Sequence, residues 1–304
     1  MIPIDKFIFC IIKLAKINNF IIKNYKTDNI DNLRKFHNFI KSQLIIESCL
    51  KTNAINLLDI ACGRGGDLQK WLNTKLNLKY VLAVDNHKES IFNSIKKGDS
   101  YDGAIARFNT VKKNYKGNLP FINFKYADIL DKDIINTLNR LDSNKMYDVI
   151  SCQFALHYFC EDDSKLEHTL KLISSKLKNN GLFIGTATDG DLIKNILDNS
   201  DIKDIPLLTL IKKSNNNYLF FIDTNKISNI KTQNYFEIKG VSSEYYLFKD
   251  KLTKLAQKYN LKLIEYISFY DWYQIYKQKK LDLTIYEMLI SFLNFSFIFK
   301  YIPD

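Results

Sequence analysis

Three carboxylates stand where strands are expected to end in the first half of the chain. Asp59, Asp85 and Asp128 each close or follow a short apolar run. In a parallel sheet wound on both sides, ligands bind at the carboxyl ends of the strands, so these acids would line one site. A carboxylate pairs with a cation and accepts hydrogen bonds from hydroxyl and amino groups. The acids therefore indicate a ligand with a cationic group, a ribose diol and an adenine amino group.

A glycine turn, C-G-R-G-G-D at 62–67, follows the first acid and leads into helical spacing of apolar residues. Strand, glycine turn and helix is the order of a nucleotide-binding βα unit, in which a ligand approaches bare backbone. The spacing G-x-G-G is not the dinucleotide pattern, and Asp59 would repel a pyrophosphate. S-adenosylmethionine has an ammonium group and a ribose but no phosphate. The pattern therefore predicts a methyltransferase core, and the alternative is a glycine turn that binds no cofactor.

The charge balance favours a polyanionic partner. The chain of 304 residues has a formal net charge of +11 and a pI of about 9.1. Such a balance suits nucleic acid first and a membrane surface second. The alternative is that the chain's richness in Asn, Ile and Lys is a compositional bias, and that part of the charge has no function.

Cysteine usage and hydropathy exclude several classes. The five cysteines include no C-x-x-C pair, which argues against a disulfide framework or a zinc site and for a reducing, intracellular compartment. No stretch reaches the ~20 apolar residues of a membrane span. The sequence therefore predicts neither a metal site nor membrane insertion.

Alternating strand and helix patterns predict an α/β fold. They indicate a Rossmann-like, mostly parallel seven-stranded sheet with an antiparallel last strand, the fold of class I S-adenosylmethionine-dependent methyltransferases. We predict an N-terminal arm or linker at 1–27 and one domain at 28–304, with a substrate-lobe insertion at 198–240. The predicted elements are helices at 28–50, 89–97, 101–114, 134–141, 166–177, 189–197 and 244–259; strands at 56–59, 80–84, 121–127, 147–154, 182–186, 218–222, 235–238, 261–266 and 291–300; and a turn at 179–181.

Two further groups of side chains have the types and spacing of a binding site. His37, Asn38 and Lys41 are three to four residues apart on the first helix and so share a face. The alternative is that this face is solvated. An aromatic loop, F-A-L-H-Y at 154–158, follows the fourth strand.

The motifs together resemble the mRNA cap guanine-N7 methyltransferase family over residues 30–300. They are F-H-N-F-I-K (36–41), D-I-A-C-G-R-G-G-D-L-Q-K-W (59–71), S-C-Q-F-A-L-H-Y-F (151–159), G-L-F-I-G-T (181–186), S-E-Y-Y-L-F (243–248) and L-A-Q-K-Y-N-L-K-L-I (255–264). The Q-F-A-L-H-Y block is the most specific. The turn T-D-G-D at 188–191 is similar to the methyltransferase domains of capping enzymes from large DNA viruses.

The resemblance implies roles for matching residues. The residues that it implies for S-adenosylmethionine are Lys41, Asp59, Gly63, Asp85, Asp128, Gln153 and Tyr158. Those along the path of the cap phosphates are Arg64, Asp67 and Arg107. Those that hold the guanine are Phe154, His157, Tyr158 and Glu244, with His37 and Asn38 as further cap-binding candidates.

The chain also departs from the family pattern. His37 stands where many members have asparagine, and Arg64 where lysine is usual, and both keep hydrogen-bond donors. Thr188 replaces the usual proline, which puts one cap contact in doubt. Tyr286 is the candidate for a stacking tyrosine near the C-terminus. The implied partner is 5′-capped mRNA, with other capping-enzyme domains or a stimulatory subunit as further candidates. The implied compartment is the cytoplasm, including a viral factory or virion, or the nucleus.

The implied reaction needs little acid–base chemistry. Guanine N7 has an available lone pair, so no base must remove a proton before it attacks the sulfonium methyl. We therefore expect no nucleophile and no catalytic metal, and we interpret His157 as a hydrogen-bonding group rather than a general base.

Three alternatives stay open at this point. The chain could be a non-catalytic RNA-binding subunit with the same fold, although it keeps Asp59, Asp85 and Asp128. It could instead methylate another RNA or a small molecule. A dehydrogenase is the weakest alternative, because the glycine spacing is wrong.

Overall fold

The computed structural model describes residues 30–199, 208–223, 241–277 and 282–303. Its strands are β1 (Asn56–Ile60), β2 (Tyr80–Asp85), β3 (Phe121–Tyr126), β4 (Tyr147–Gln153), β5 (Leu177–Thr188), β6 (Leu208–Lys212), β7 (Asn217–Ile222), β8 (Val241–Tyr245), β9 (Leu261–Ser268) and β10 (Asn294–Tyr301). Its α-helices are α1 (Asp31–Lys51), α2 (Leu68–Trp71), α3 (Lys88–Phe92), α4 (Ala104–Asn114), α5 (Ile134–Asp142), α6 (Asp163–Lys176), α7 (Gly190–Asn199), α8 (Lys249–Gln257), α9 (Phe269–Tyr276) and α10 (Ile285–Ser291).

A seven-stranded sheet organises the described residues, in the order β3-β2-β1-β4-β5-β10-β9. The pairs β1–β2, β1–β4, β2–β3 and β4–β5 are parallel, and the last strands are antiparallel. Every residue of β2 is buried, as expected for a parallel strand covered on both faces. The predicted fold class is confirmed. The strand order reverses between β1 and β4, and such a switch point opens a crevice beyond the strand ends.

Three further strands form a small antiparallel sheet in the order β6-β7-β8. The prediction of a strand at 218–222 is confirmed, and β6 was not predicted. Residues 224–240, including the predicted strand at 235–238, and the predicted arm at 1–27 lie outside the described residues. Whether 198–240 is an insertion stays a prediction.

The described chain divides into two compact units. One comprises residues up to 40 together with 187–251 and 267–296, and the other comprises 41–186, 252–266 and 297–304. We refer to them as the small-sheet unit and the parallel-sheet unit. No helix among the described ranges is long and apolar enough to cross a membrane.

The predicted helix at 244–259 is wrong in its first part. Residues up to Tyr245 continue β8, and the helix begins only at Lys249. The Lys249 amide donates to the Asp191 carboxylate at 3.0 Å, which satisfies a free N–H at the helix start. The residues of β8 that are buried are Ser242 and Glu244, so this strand shows no apolar alternation in the sequence.

The C-terminal segment predicted as a strand at 291–300 begins differently. Ser291 ends α10, and β10 runs from Asn294 to Tyr301. A capping box starts α10: the Glu287 amide donates to the Thr284 side chain, and the Thr284 amide donates to the Glu287 carboxylate. The sequence T-x-x-E at 284–287 is a recognisable signal for this helix.

Other boundaries differ less. The predicted turn at 179–181 lies inside β5, where the register with β4 shifts and Asn180 has a φ of 63°. The predicted helix at 89–97 divides into α3 and a 3₁₀ turn at Ile95–Lys97, and the one at 101–114 starts at Ala104. The first helix begins at Asp31 among the described residues.

Candidate functional site

The glycine turn joins β1 to α2 and contains one closely packed position. Gly65 has a φ of +69°, and an added Cβ would lie 3.2 Å from Leu68 Cδ1 and 3.3 Å from Ala104 Cβ. A side chain there would therefore be strained in its backbone and crowded by two helices. The Gly63 amide donates to Asp85 Oδ2 at 2.7 Å, which fixes the turn against the end of β2.

Asp85 keeps capacity for a ligand after its own contacts are made. Its Oδ1 accepts from the His87 amide at 2.8 Å, and its Oδ2 accepts from Gly63. Burial raises the pKa of the Asp85 carboxyl, and these two backbone hydrogen bonds oppose that rise. Each oxygen has a second lone pair, so the carboxylate can also accept from a diol.

Asp59 is the most deeply buried acid of the glycine-turn region, with 2% of its surface exposed. Burial raises its pKa well above the usual range, and the negative charge of Asp67 raises it further. A hydrogen bond from Ser151 and the charge of Lys41 act in the opposite direction. The ionised form of Asp59 is therefore unfavourable until another cation approaches it.

Two lysines share one carboxylate beside Asp59. The ammonium groups of Lys41, on α1, and Lys70, on α2, each lie 2.8 Å from Asp67 Oδ1. Burial raises the pKa of Asp67, but the two ammonium groups outweigh it and lower the pKa to about 2. The predicted cap-side residue Asp67 thus belongs to a buried ionic cluster. Its proposed place along a phosphate path stays a prediction.

Arg64 and Arg107 are held next to each other. The Arg64 guanidinium lies 4.3 Å from the centre of the Tyr101 ring, and its Nε donates to the Asp102 carbonyl at 3.1 Å. Arg107 Nη1 donates to the Arg64 carbonyl at 2.6 Å. The two side chains are only partly buried. Together they place two permanent positive charges beside the glycine turn.

The aromatic loop after β4 has a strained start. Phe154 has a φ of 56°, which is a genuine outlier for a bulky residue. Its amide donates to the Thr186 carbonyl at 2.8 Å, and Thr186 Oγ1 donates to Gln153 Oε1 at 3.2 Å. Backbone strain of this kind clusters at functional sites. It turns the chain out of β4 into the 3₁₀ turn Leu156–Phe159.

His157 is 3% exposed within that turn, and its ring centre lies 4.3 Å from that of Tyr158. Burial lowers its pKa to about 3. The imidazole is therefore neutral at pH 7. This agrees with the interpretation of His157 as a hydrogen-bonding group, because a general base would serve best with a pKa near the working pH.

The comparisons with known proteins decide the family. The mRNA (guanine-N(7))-methyltransferase domain matches residues 11–292. The chain belongs to the mRNA (guanine-N7) methyltransferase family. The family predicted from the motifs is thus confirmed.

Relatives of this methyltransferase-family chain are longer than it is. It is 30% identical over 280 residues to a probable mRNA-capping enzyme of Acanthamoeba polyphaga mimivirus, which covers 83% of this chain and 23% of the relative. It is 27% identical over 271 residues to the mRNA cap guanine-N(7) methyltransferase of Drosophila melanogaster, covering 83% and 58%. The chain therefore spans less than two thirds of each. A crystal structure of an S-adenosylmethionine-dependent methyltransferase from Clostridium acetobutylicum matches with a TM-score of 0.48 and 15% identity, covering 86% and 91%.

The parallel-sheet unit of this family member brings most of the predicted site residues to the carboxyl ends of its strands. Asp128 lies two residues beyond β3, where its Oδ1 accepts from the Leu130 amide at 2.9 Å. Gln153 ends β4 and donates to Ser151 at 3.1 Å. The predicted residues in this unit are Lys41, Asp59, Gly63, Arg64, Asp67, Asp85, Arg107, Asp128, Gln153, Phe154, His157 and Tyr158.

The remaining predicted residues lie in the small-sheet unit. Glu244 is 4% exposed on β8. His37 is buried rather than on a solvated face, and its Nε2 lies 3.0 Å from Ser291 Oγ. Asn38 on α1 and Tyr286 on α10 are half-buried.

Sequence reasoning missed Lys70, Tyr101 and Tyr218. Lys70 follows Asp67 by three residues, a spacing that predicts an ion pair on a helix. The contacts of Tyr101 and Tyr218 depend on tertiary packing and strand register, for which the sequence contains no short-range signal. No cluster of three or more metal-ligating side chains occurs within the described ranges.

Proposed function

We propose that this chain transfers the methyl group of S-adenosylmethionine to N7 of the guanine in the 5′ cap of mRNA. One observation carries the proposal: Asp59 is buried beside the glycine turn of a chain that belongs to this family. A buried carboxyl with acidic neighbours is unfavourable unless a cation joins it. The ammonium group of S-adenosylmethionine meets that need.

The residues around the glycine turn fit this cofactor. Asp59 would pair with the ammonium group, and Asp85 would accept from the ribose diol. The Lys41 ammonium lies 3.7 Å from the position of a Cβ on Gly66, so a cofactor carboxylate at this turn would meet a positive charge. Asp128 would accept from the adenine amino group, and Gln153 and Tyr158 would complete the pocket. When bound, the cofactor supplies an electrophilic methyl group.

Aromatic rings and one carboxylate would hold the guanine. A ring stacked on a base contributes about 1–3 kcal/mol, a role for Phe154 and Tyr158. Glu244 would accept from guanine N1–H and from the amino group, which are adjacent donors. Neutral His157 would hydrogen-bond to the purine edge. Since N7 needs no deprotonation, catalysis would come from alignment and from the local field.

Labelled methyl transfer tests the proposal. Incubation with S-adenosylmethionine carrying a radioactive methyl group, followed by nuclease digestion, should release label as a 7-methylguanosine cap from capped RNA. Uncapped RNA and tRNA should stay unlabelled. Label in an internal nucleoside, or in tRNA, would contradict the cap assignment and favour a methyltransferase for another RNA. Absence of any transfer despite cofactor binding would favour a non-catalytic RNA-binding protein.

The proposed partner and compartment follow from the substrate. The protein would act on capped mRNA in the cytoplasm or the nucleus. Because this chain spans 23% of the mimivirus relative, the proposal also includes other capping-enzyme domains as partners, in the same polypeptide or as separate subunits.

Replacement of Arg64 and Arg107 by glutamine should reduce the salt dependence of capped-RNA binding. Each lost phosphate contact lowers the slope of log K against log salt by about 0.7 for a single strand. The double variant should therefore lose about 1.4 from the slope, as measured by fluorescence anisotropy between 50 and 200 mM salt. Lys171→Gln, which removes one positive charge from an exposed residue of α6, is the control, and its slope should stay at the wild-type value. An equal loss of slope in this control would contradict a specific phosphate path.

A further inference from the structure

A buried hydroxyl connects Thr188 to Glu244 in the small-sheet unit. The Tyr218 hydroxyl lies 2.9 Å from Thr188 Oγ1 and 2.8 Å from Glu244 Oε2. Tyr218 is 0% exposed, and Thr188 and Glu244 are 5% and 4% exposed. Tyr218 and Glu244 are also directly opposite one another in the β7–β8 register. The contact is therefore built by the sheet and by the end of β5.

Hydrogen-bond accounting gives the direction of this chain. An ionised carboxylate only accepts, so Tyr218 donates its single proton to Glu244. The Tyr218 oxygen then accepts from the Thr188 hydroxyl. Because a hydrogen bond to a charged group is stronger than a neutral one, the Tyr218–Glu244 bond is the stronger of these two bonds. Thr188 orients Tyr218 and so acts on Glu244 indirectly, through Tyr218.

We propose that Tyr218 and Thr188 are positioning residues that fix the Glu244 carboxylate for guanine recognition. This inference rests on the proposed function, in which Glu244 accepts two hydrogen bonds from guanine. A glutamate side chain has three rotatable bonds, and a ligand that must order them binds less well. A carboxylate already fixed by Tyr218 presents both acceptors in the geometry that guanine requires.

A pair of conservative variants tests the chain of hydrogen bonds. Tyr218→Phe keeps the ring and removes the hydroxyl, and Thr188→Val keeps the shape and removes the donor. Equilibrium binding of the dinucleotide caps GpppA and IpppA is measured for each, with KM and kcat for methylation. Inosine lacks the amino group of guanine, so the ratio of the two affinities reports how well Glu244 is oriented.

Tyr218→Phe should weaken GpppA binding and raise KM about tenfold, with kcat and S-adenosylhomocysteine affinity changed less than twofold. Thr188→Val should show a smaller loss of about threefold. Both variants should lower the ratio of GpppA affinity to IpppA affinity, because a mobile carboxylate discriminates less between guanine, which offers two donors, and hypoxanthine, which offers one. In a Glu244→Gln background, Tyr218→Phe should cause almost no further loss of GpppA affinity. A purely structural role of Tyr218 would not produce this pattern.

Tyr246→Phe is the matched control. The Tyr246 ring packs at 5.0 Å from the Tyr218 ring, and its buried hydroxyl has no hydrogen-bond partner within the described part of the chain. The change removes the same group from the same cluster, so cap binding and the affinity ratio should stay at the wild-type values. If Tyr218→Phe fails to fold, Thr188→Val still tests the proposal.

The outcomes separate this inference from the proposed function. Tyr218→Phe and Thr188→Val could both keep the wild-type GpppA affinity and the wild-type ratio of GpppA to IpppA affinity while Glu244→Gln binds GpppA poorly. That result would overturn the positioning role and leave the proposed function intact. Unimpaired binding by Glu244→Gln would overturn the guanine role of Glu244 and the positioning role with it. Cap binding without methylation would contradict the proposed reaction, and the affinity ratios would still decide the positioning role.

Discussion

Asp59→Asn should greatly weaken cofactor binding and at the same time stabilise the protein that has no cofactor bound. The Asp59 carboxyl is buried and close to the charges of Asp67 and Asp85, and both effects raise its pKa. Asparagine has nearly the same shape but no charge. The variant therefore removes an unfavourable interaction within the protein and a favourable one with the cofactor ammonium.

The two effects differ in size. Removing one partner of a buried charge pair costs about 2–5 kcal/mol, so the affinity for S-adenosylhomocysteine should fall by a factor of about 30 or more. Removing a destabilised functional group commonly adds about 0.5–2 kcal/mol to the free energy of unfolding. Titration calorimetry measures the first effect, and thermal unfolding without cofactor measures the second.

The pH dependence supplies a second readout for the same variant. Only the ionised carboxyl pairs with an ammonium group, so wild-type affinity should rise with pH through the raised pKa of Asp59. The stability of the cofactor-free wild type should fall over the same interval, because the folded state there binds more protons than the unfolded state. Both trends should be absent in Asp59→Asn.

Asp131→Asn is the control for these measurements. Asp131 is an exposed acid beyond β3 that accepts from the Asp133 amide at 2.9 Å. Its replacement should change neither cofactor affinity nor its pH dependence. If Asp59→Asn bound S-adenosylhomocysteine within threefold of the wild type, the assignment of Asp59 to the ammonium group would be wrong.

The part of the site that could be predicted from sequence depends on short-range signals. Glycines at 63, 65 and 66 and acids at strand ends lie within a few residues of the elements that place them. Apolar runs gave β1, β2 and β4 because most residues of these strands are buried. The carboxyl-end position of Asp59, Asp85 and Asp128 then followed from the topology of a doubly wound sheet.

The remaining part of the site depends on the pairing of β7 with β8, which the hydrophobic periodicity of the sequence does not show. β8 presents Ser242 and Glu244 to the interior, so its buried side is polar and its alternation is invisible in an apolar pattern. Glu244 was identified by resemblance, but its strand and its partner Tyr218 depend on the β7–β8 register. By contrast, the Thr284–Glu287 capping box is a local signal that the sequence itself contains.

Asp67→Asn should cause the largest loss of stability, although Asp67 was expected to act on the substrate. Its carboxylate neutralises both Lys41 and Lys70 through one oxygen. Breaking a buried ion pair by removing one partner costs about 3–5 kcal/mol, since the other charge stays buried without compensation. Here two ammonium groups lose their shared partner. Urea unfolding at pH 7 should therefore show a loss of about 4 kcal/mol.

Lowering the pH should reduce the difference in stability between the wild type and Asp67→Asn. The two ammonium groups lower the pKa of Asp67 from 3.8 to about 2. A carboxyl with a lowered pKa in the folded state contributes stability above its unfolded pKa, and that contribution is lost as the pH falls towards 2. This shift alone corresponds to about 2 kcal/mol. The wild type should thus approach the variant in stability between pH 5 and pH 2.

A second substitution separates charge from packing. Lys70→Met alone leaves the Lys41–Asp67 pair intact and should cost less than Asp67→Asn. Added to Asp67→Asn, it removes one uncompensated ammonium group and should recover part of the lost stability. Asp133→Asn breaks an exposed pair with Arg140 at 3.5 Å and should cost less than about 1 kcal/mol. An Asp67→Asn protein as stable as the wild type at pH 7 would show that burial of the two lysines does not depend on this carboxylate.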